Sequence, residues 1–142
     1  EGAFYDGKYF PVNSLTDEDG LVTKEYAHYM LGMDFDLGGI RFSTQFIQEA
    51  IFNYQDAIRQ DEFTNTMTFL VRDDLFRDKL MLELFTYYGF KHDDAPIRPK
   101  ATYEVDRGIN LIVGANLFTG TEGRFGQYNR NDMVYFKLRY DF

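Results

Sequence analysis

Along "YAHYMLGMDFDL" (26–37) every second residue is apolar. Ala27, Tyr29, Leu31, Met33, Phe35 and Leu37 form one set, with His28, Asp34 and Asp36 among the residues between. A period of two marks a strand with one apolar and one polar face. Gly38-Gly39 comes next, and a two-residue hairpin turn favours residues that accept positive φ at both positions. The return segment "IRFSTQF" (40–46) places Ile40, Phe42, Thr44 and Phe46 on one face and Arg41, Ser43 and Gln45 on the other. A two-residue turn sets Leu37 opposite Ile40 and Asp36 opposite Arg41. The apolar faces then coincide, and on the other face an acid meets a base.

The same period runs through most of the chain. "TNTMTFLV" (64–71) offers Met67, Phe69 and Val71 against Thr64, Thr66 and Thr68. "KLMLELFTYYGF" (79–90) sets Leu80, Leu82 and Leu84 against Glu83, and "KATYEV" (100–105) sets Ala101, Tyr103 and Val105 against Thr102 and Glu104. "INLIVGANLF" (109–118) directs Ile109, Leu111, Val113, Ala115 and Leu117 one way. In the closing "NDMVYFKLRYDF" (131–142), Val134, Phe136, Leu138, Tyr140 and Phe142 alternate with Tyr135, Lys137, Arg139 and Asp141. An eighth, poorly alternating segment, "AFYDGKYFPV" (3–12), contains Gly7 and Pro11. Short turns are expected at 38–39, 72–78 and 106–108, and longer polar loops at 13–20, 53–62, 91–99 and 119–131. Short connections at one end and long ones at the other predict an all-β, antiparallel up-and-down barrel of about eight strands, or the C-terminal strands of a larger barrel.

The 142 residues suffice for a single domain, 1–142, and the absence of cysteine excludes disulfides and thiolate metal sites. A net charge of -8 lacks the basic footprint that nucleic acid requires, so no nucleic-acid partner is expected. Phe and Tyr number 15 and 11, yet mean hydropathy is only -0.41, because apolar residues are interleaved with charged ones. No run approaches the roughly 20 apolar residues of a membrane helix. A membrane strand escapes that test, since its hydropathy signal per segment is weak. With no initial Met, the chain reads as a processed or truncated product.

Period alone leaves two solvents open for the apolar face. A soluble barrel would turn it inward around an apolar ligand, whereas a membrane barrel would turn it toward lipid and line its lumen with charge. Four features favour the membrane. The closing strand, 132–142, has the roughly 9–11 residues that cross a bilayer when tilted. Aromatics such as Tyr29, Tyr88, Tyr103 and Tyr140 lie near strand ends, where interfacial girdles form. The polar face mixes signs in a way that can pair across a lumen. Gly32 and Gly114 fall on that same face, where a narrow barrel needs room. The expected lipid-facing set is therefore Leu31, Met33, Phe35, Phe42, Leu82, Leu111, Val113, Phe136 and Leu138. The expected lumen set is His28, Asp34, Asp36, Arg41, Arg72, Glu83, Glu104, Lys137 and Arg139.

A terminal strand with apolar residues at Val134, Phe136, Leu138 and Tyr140, ending on Phe142, resembles the C-terminal assembly signal of Gram-negative outer-membrane barrels. That resemblance implies the bacterial outer membrane as location, and the barrel-assembly machinery as a partner during biogenesis. "GINLIVGANLFTGTEGRFGQYNRNDMVYFKLRYDF" also resembles the end of a group of large proteobacterial outer-membrane barrels of uncharacterised function. The likeness covers mainly the last quarter of the chain and implies a fragment, or a shortened or redesigned barrel.

Catalytic chemistry finds little support. Ser43 and His28 fall about 20 Å apart along the hairpin, too far for a dyad. His28 comes opposite Glu49 if the register extends, and a lumen hydrogen bond is the plainer role for such a pair. The loop acids Asp17, Glu18, Asp19, Asp93 and Asp94 lack a calcium-loop pattern and read as solvated charge, with bridging of lipopolysaccharide through divalent ions as their sharper alternative. "GTEGRFG" (120–126) lacks the lysine of a phosphate loop. The expectation is a non-catalytic pore, transport component or scaffold, with no cofactor or metal, contacting outer-membrane lipid and lipopolysaccharide.

Overall fold

The computed structural model describes residues 1–13 and 20–141. Ser14, Asp17, Glu18, Asp19 and the terminal Phe142 of the assembly signal lie outside the described residues. The chain is all-β. Strands β1 (Gly2–Pro11), β2 (Leu21–Leu37), β3 (Ile40–Ile51), β4 (Phe63–Leu75), β5 (Leu80–Gly89), β6 (Ala95–Asp106), β7 (Ile109–Thr119) and β8 (Met133–Tyr140) form one antiparallel sheet in sequential order. A single helical turn, α1 (Gly123–Gly126), interrupts the β7–β8 connection.

Several boundaries differ from the expected ones, for identifiable reasons. β1 is a full strand whose register slips between Tyr5 and Lys8. This bulge exchanges the faces, so Ala3 and Tyr5 share a side with Phe10 rather than with Tyr9. Strict alternation fails there although pairing does not. β4 continues through Asp74 to Leu75, which moves the expected 72–78 turn to 76–79. In that turn Phe76, Arg77 and Asp78 all take left-handed φ, at 54°, 58° and 64°. No glycine announces it. β6 begins at Ala95, so most of the expected 91–99 loop is strand. The β2–β3 turn is the one foreseen, with Gly38 and Gly39 at φ 61° and 89°.

The chain forms two compact units, Glu1–Leu31 with Phe46–Asn65, and Gly32–Gln45 with Thr66–Phe142. In the first, Phe10, Val12, Tyr26, Ile51 and Ile58 make a closed apolar cluster, with Val22, Tyr54 and Ala57 packed against it. The expected polar loop 53–62 is thereby corrected: it folds back and buries Ile58. Its backbone joins the end of β1 and the residues just after it, with Arg59 N donating to Pro11 O and Asn13 N to Ala57 O. Phe10 and Tyr26 lie on the His28 side of β1 and β2, so that side carries a core as well as charge.

In the second unit the register aligns rows across the strands, mostly apolar on one face and mostly polar on the other. Asp73, Leu82, Ala101, Val113 and Phe136 are successive cross-strand partners from β4 to β8. One residue further along, on the opposite face, the row reads Arg72, Glu83, Lys100, Gly114 and Tyr135. The Tyr135 ring lies over Gly114, where an added Cβ would come within 2.5 Å of Cζ. The glycine is the room that this aromatic occupies.

Asp94 corrects another expectation. It is only 3% exposed rather than solvated. Its Oδ2 accepts a 2.6 Å bond from Phe125 N of α1, and Gly120 and Gly123 close around its side chain. The ring of Phe125 then rests on Tyr87 at 5.5 Å. One carboxylate thus pins the β7–β8 loop. Asp94→Ala should lower unfolding stability by about 1–3 kcal/mol, because a part-buried amide loses its charged acceptor. Hydrogen exchange of the 120–131 amides should accelerate selectively, while Asp94→Asn keeps an oxygen in place and should retain part of the protection.

Candidate functional site

The polar face of β4–β8 gathers the densest set of charged side chains expected to act. Antiparallel pairing puts Arg72, Glu83 and Lys100 side by side on adjacent strands. Lys100 Nζ lies 2.7 Å from Glu83 Oε1. Arg72 turns instead to its own strand and grips Asp74 with two nitrogens, Nε at 3.1 Å from Oδ2 and a terminal nitrogen at 3.1 Å from Oδ1. Near the short turns Arg139 Nε meets Asp141 Oδ2 at 3.0 Å, and Asn110 Nδ2 donates to the same oxygen at 3.1 Å. These pairs are open to solvent to differing degrees, so each contributes about 0–1 kcal/mol. Their placement says more than their strength.

Two hollows divide this face. Near the turns, one of about 210 Å³ is lined by Arg72, Lys79 and Arg139 together with Asp74, Asp78 and Glu104, three charges of each sign. Further along the strands, a larger one of about 560 Å³ holds Arg98, Lys100 and Lys137 against the single acid Glu83. The charges are therefore segregated, balanced at one level and basic at the next. Lys137 Nζ sits 5.1 Å from the centre of the Tyr135 ring.

The other expected lumen residues are more scattered. Asp36 pairs with Arg41 at 3.3 Å beside the Gly38–Gly39 turn, in keeping with the expected register. On the opposite face of that hairpin Phe35 and Phe42 stack at 5.1 Å. Asp34 lies on β2 in the same unit and is exposed. His28 belongs to the first unit, where its ring stacks with Tyr5 at 6.4 Å and neighbours Tyr26 at 6.3 Å. Glu104 lines the balanced hollow with Arg72 and Arg139. Arg98, Lys100, Asn116 and Tyr135 were absent from the expected set. Lys100 shares the parity of Thr102 and Glu104 and so belongs to the expected polar face, but its pairing with Glu83 comes from the structure, and Arg98 falls in the expected 91–99 loop.

Leu31, Met33, Phe35, Leu82, Val113, Phe136 and Leu138, all expected on the apolar face, are exposed, while Phe42 and Leu111 are half-buried. Among the described residues no group of three or more His, Asp or Glu side chains is arranged to hold a metal ion. Among the described residues no helix is long and apolar enough to cross a membrane, which says nothing of strands.

No family model, curated protein or solved structure matches this chain.

Proposed function

We propose that the chain is an outer-membrane β-barrel, or the strand set of a larger one. It would act without catalysis as a passive pore, transport component or membrane scaffold in the bacterial outer membrane. The observation that carries this reading is the exposed apolar side of the second unit's strands, where Leu37, Phe136 and Leu138 are 66–69% exposed. Aqueous proteins rarely leave so many large apolar side chains uncovered. Lipid would cover it without a partner protein.

The aromatic spacing agrees. Tyr103 is the register partner of Leu80, and Tyr88 lies eight residues further along β5 on the same face. That separation is about 27 Å along a strand. At the usual barrel tilt it becomes about 20 Å, near the height of a lipid-facing apolar band. Tyr29 Oη donates to Gln48 Oε1 and Gln48 Nε2 to Asn65 Oδ1, each at 2.6 Å, forming a polar belt fit for the headgroup level. Lipopolysaccharide and the assembly machinery are the partners this reading implies.

One observation favours a second reading, a soluble barrel that holds an apolar ligand. The apolar face carries a hollow of about 440 Å³ whose lining includes Leu82, Leu84, Pro99, Ala101, Val113 and Ala115.

Extraction separates the two. The protein should require detergent or vesicles to stay dispersed, and a monomer that persists in plain buffer overturns the membrane reading. Planar-bilayer conductance then distinguishes the roles. A closed eight-stranded barrel filled by its side chains passes little current, whereas a wider assembly passes much.

A further inference from the structure

We infer that the basic hollow of the β4–β8 face binds a small organic anion carrying a hydrocarbon body, such as an aromatic carboxylate. The inference stands on this face alone and holds in a membrane or out of one.

Charge is the first ground. The chain has 15 Lys and Arg against 23 Asp and Glu, yet the hollow holds three cations and one acid. Lys100 is neutralised by Glu83 at 2.7 Å. Arg98 and Lys137 have no carboxylate at ion-pair distance among the described residues. Two uncompensated cations in one concavity of an acidic protein set a local field that attracts anions. The planar guanidinium of Arg98 matches a carboxylate with two parallel N–H donors, and Lys137 adds a point charge.

Shape and lining are the second. Inorganic ions need no apolar wall, but Leu70, Phe85 and Met133 border the same 560 Å³ space. Phe85 is the register partner of Arg98, so the strand pairing itself sets a ring beside a guanidinium. Asn116 and Tyr135, which carry further donor groups, also line it. A ligand with a charged head and a flat apolar body satisfies both halves, whereas a bare anion would leave the apolar wall wet.

Benzoate is the probe, titrated calorimetrically into the whole chain in a neutral detergent, or in buffer if it is soluble there. It should bind at least about tenfold more tightly than acetate, benzyl alcohol or benzylammonium, since each control lacks one half of the recognition. Added salt should weaken benzoate and leave benzyl alcohol unchanged. The double change Arg98→Gln with Lys137→Gln should reduce benzoate affinity by a similar factor with an unaltered circular dichroism spectrum. Should that variant misfold, the salt response and the control ligands still decide. Benzoate bound no better than benzyl alcohol, acetate bound as well as benzoate, or affinity unchanged in a folded double variant would each overturn the inference.

Discussion

Replacing Val113 with arginine is expected to prevent membrane assembly, whereas Thr102→Arg leaves it intact. The two positions lie on neighbouring strands but on opposite faces. Val113 sits between Ala101 and Phe136, and Thr102 between Met81 and Ile112. An arginine at the lipid-facing midplane of a strand costs about 2–4 kcal/mol, and assembly has little stability in reserve. At position 102 the same charge meets Asp74 and Glu104 in the balanced hollow. Folding into lipid vesicles, read by the shift in gel mobility between unheated and boiled samples, checks both. If the apolar face instead encloses a ligand, Val113→Arg gives a dispersed protein that has lost its apolar cargo. Equal tolerance of both substitutions would remove the sidedness on which the membrane reading rests.

Phe10→Ala should produce the largest loss of stability among single changes in the first unit, about 3–5 kcal/mol. Phe10 is 1% exposed at the centre of the closed cluster, touching Tyr26 at a ring distance of 5.9 Å. Removing the ring leaves a void that Ile51 and Ile58 fill poorly, because both are held by backbone pairing. Tyr9 provides the matched comparison. It is adjacent in sequence, points to the other face and is 70% exposed. Tyr9→Ala should change stability by no more than about 0.5 kcal/mol. Chemical denaturation followed by circular dichroism measures the difference. A small effect at Phe10 would mean that the 52–62 loop does not close this cluster.

The two substitutions also mark where sequence reading succeeds. Val113 and Thr102 were assigned to opposite faces by parity alone, because uninterrupted pairing transmits parity from strand to strand. Phe10 was not readable in that way. The bulge between Tyr5 and Lys8 resets the parity of β1, and part of the Phe10 cluster, Ile58 with Tyr54 and Ala57, comes from a loop whose composition looks polar. The burial of Asp94 is illegible in the sequence for a similar reason. Its burial depends on Phe125 and two glycines about thirty residues downstream, and no local pattern encodes that meeting.

Among the candidate site residues, Glu83, Lys137 and Arg139 were recognisable as charges on a polar face. Arg98 was not, since a strand containing Pro96 and Pro99 imitates a loop. The segregation into a balanced and a basic hollow emerges only when five strands are aligned. It is a property of rows, and rows do not exist in a single strand.

The amino-acid sequence by itself determined the all-β class, the strand count and which face of β4–β8 is apolar. Those follow from a period of two, which is local and survives any global arrangement. Tertiary structure alone decided where loops fold back, which carboxylate is buried and which cations are left uncompensated. These depend on contacts between residues far apart in the chain, whose energies appear only after the strands have been brought into register.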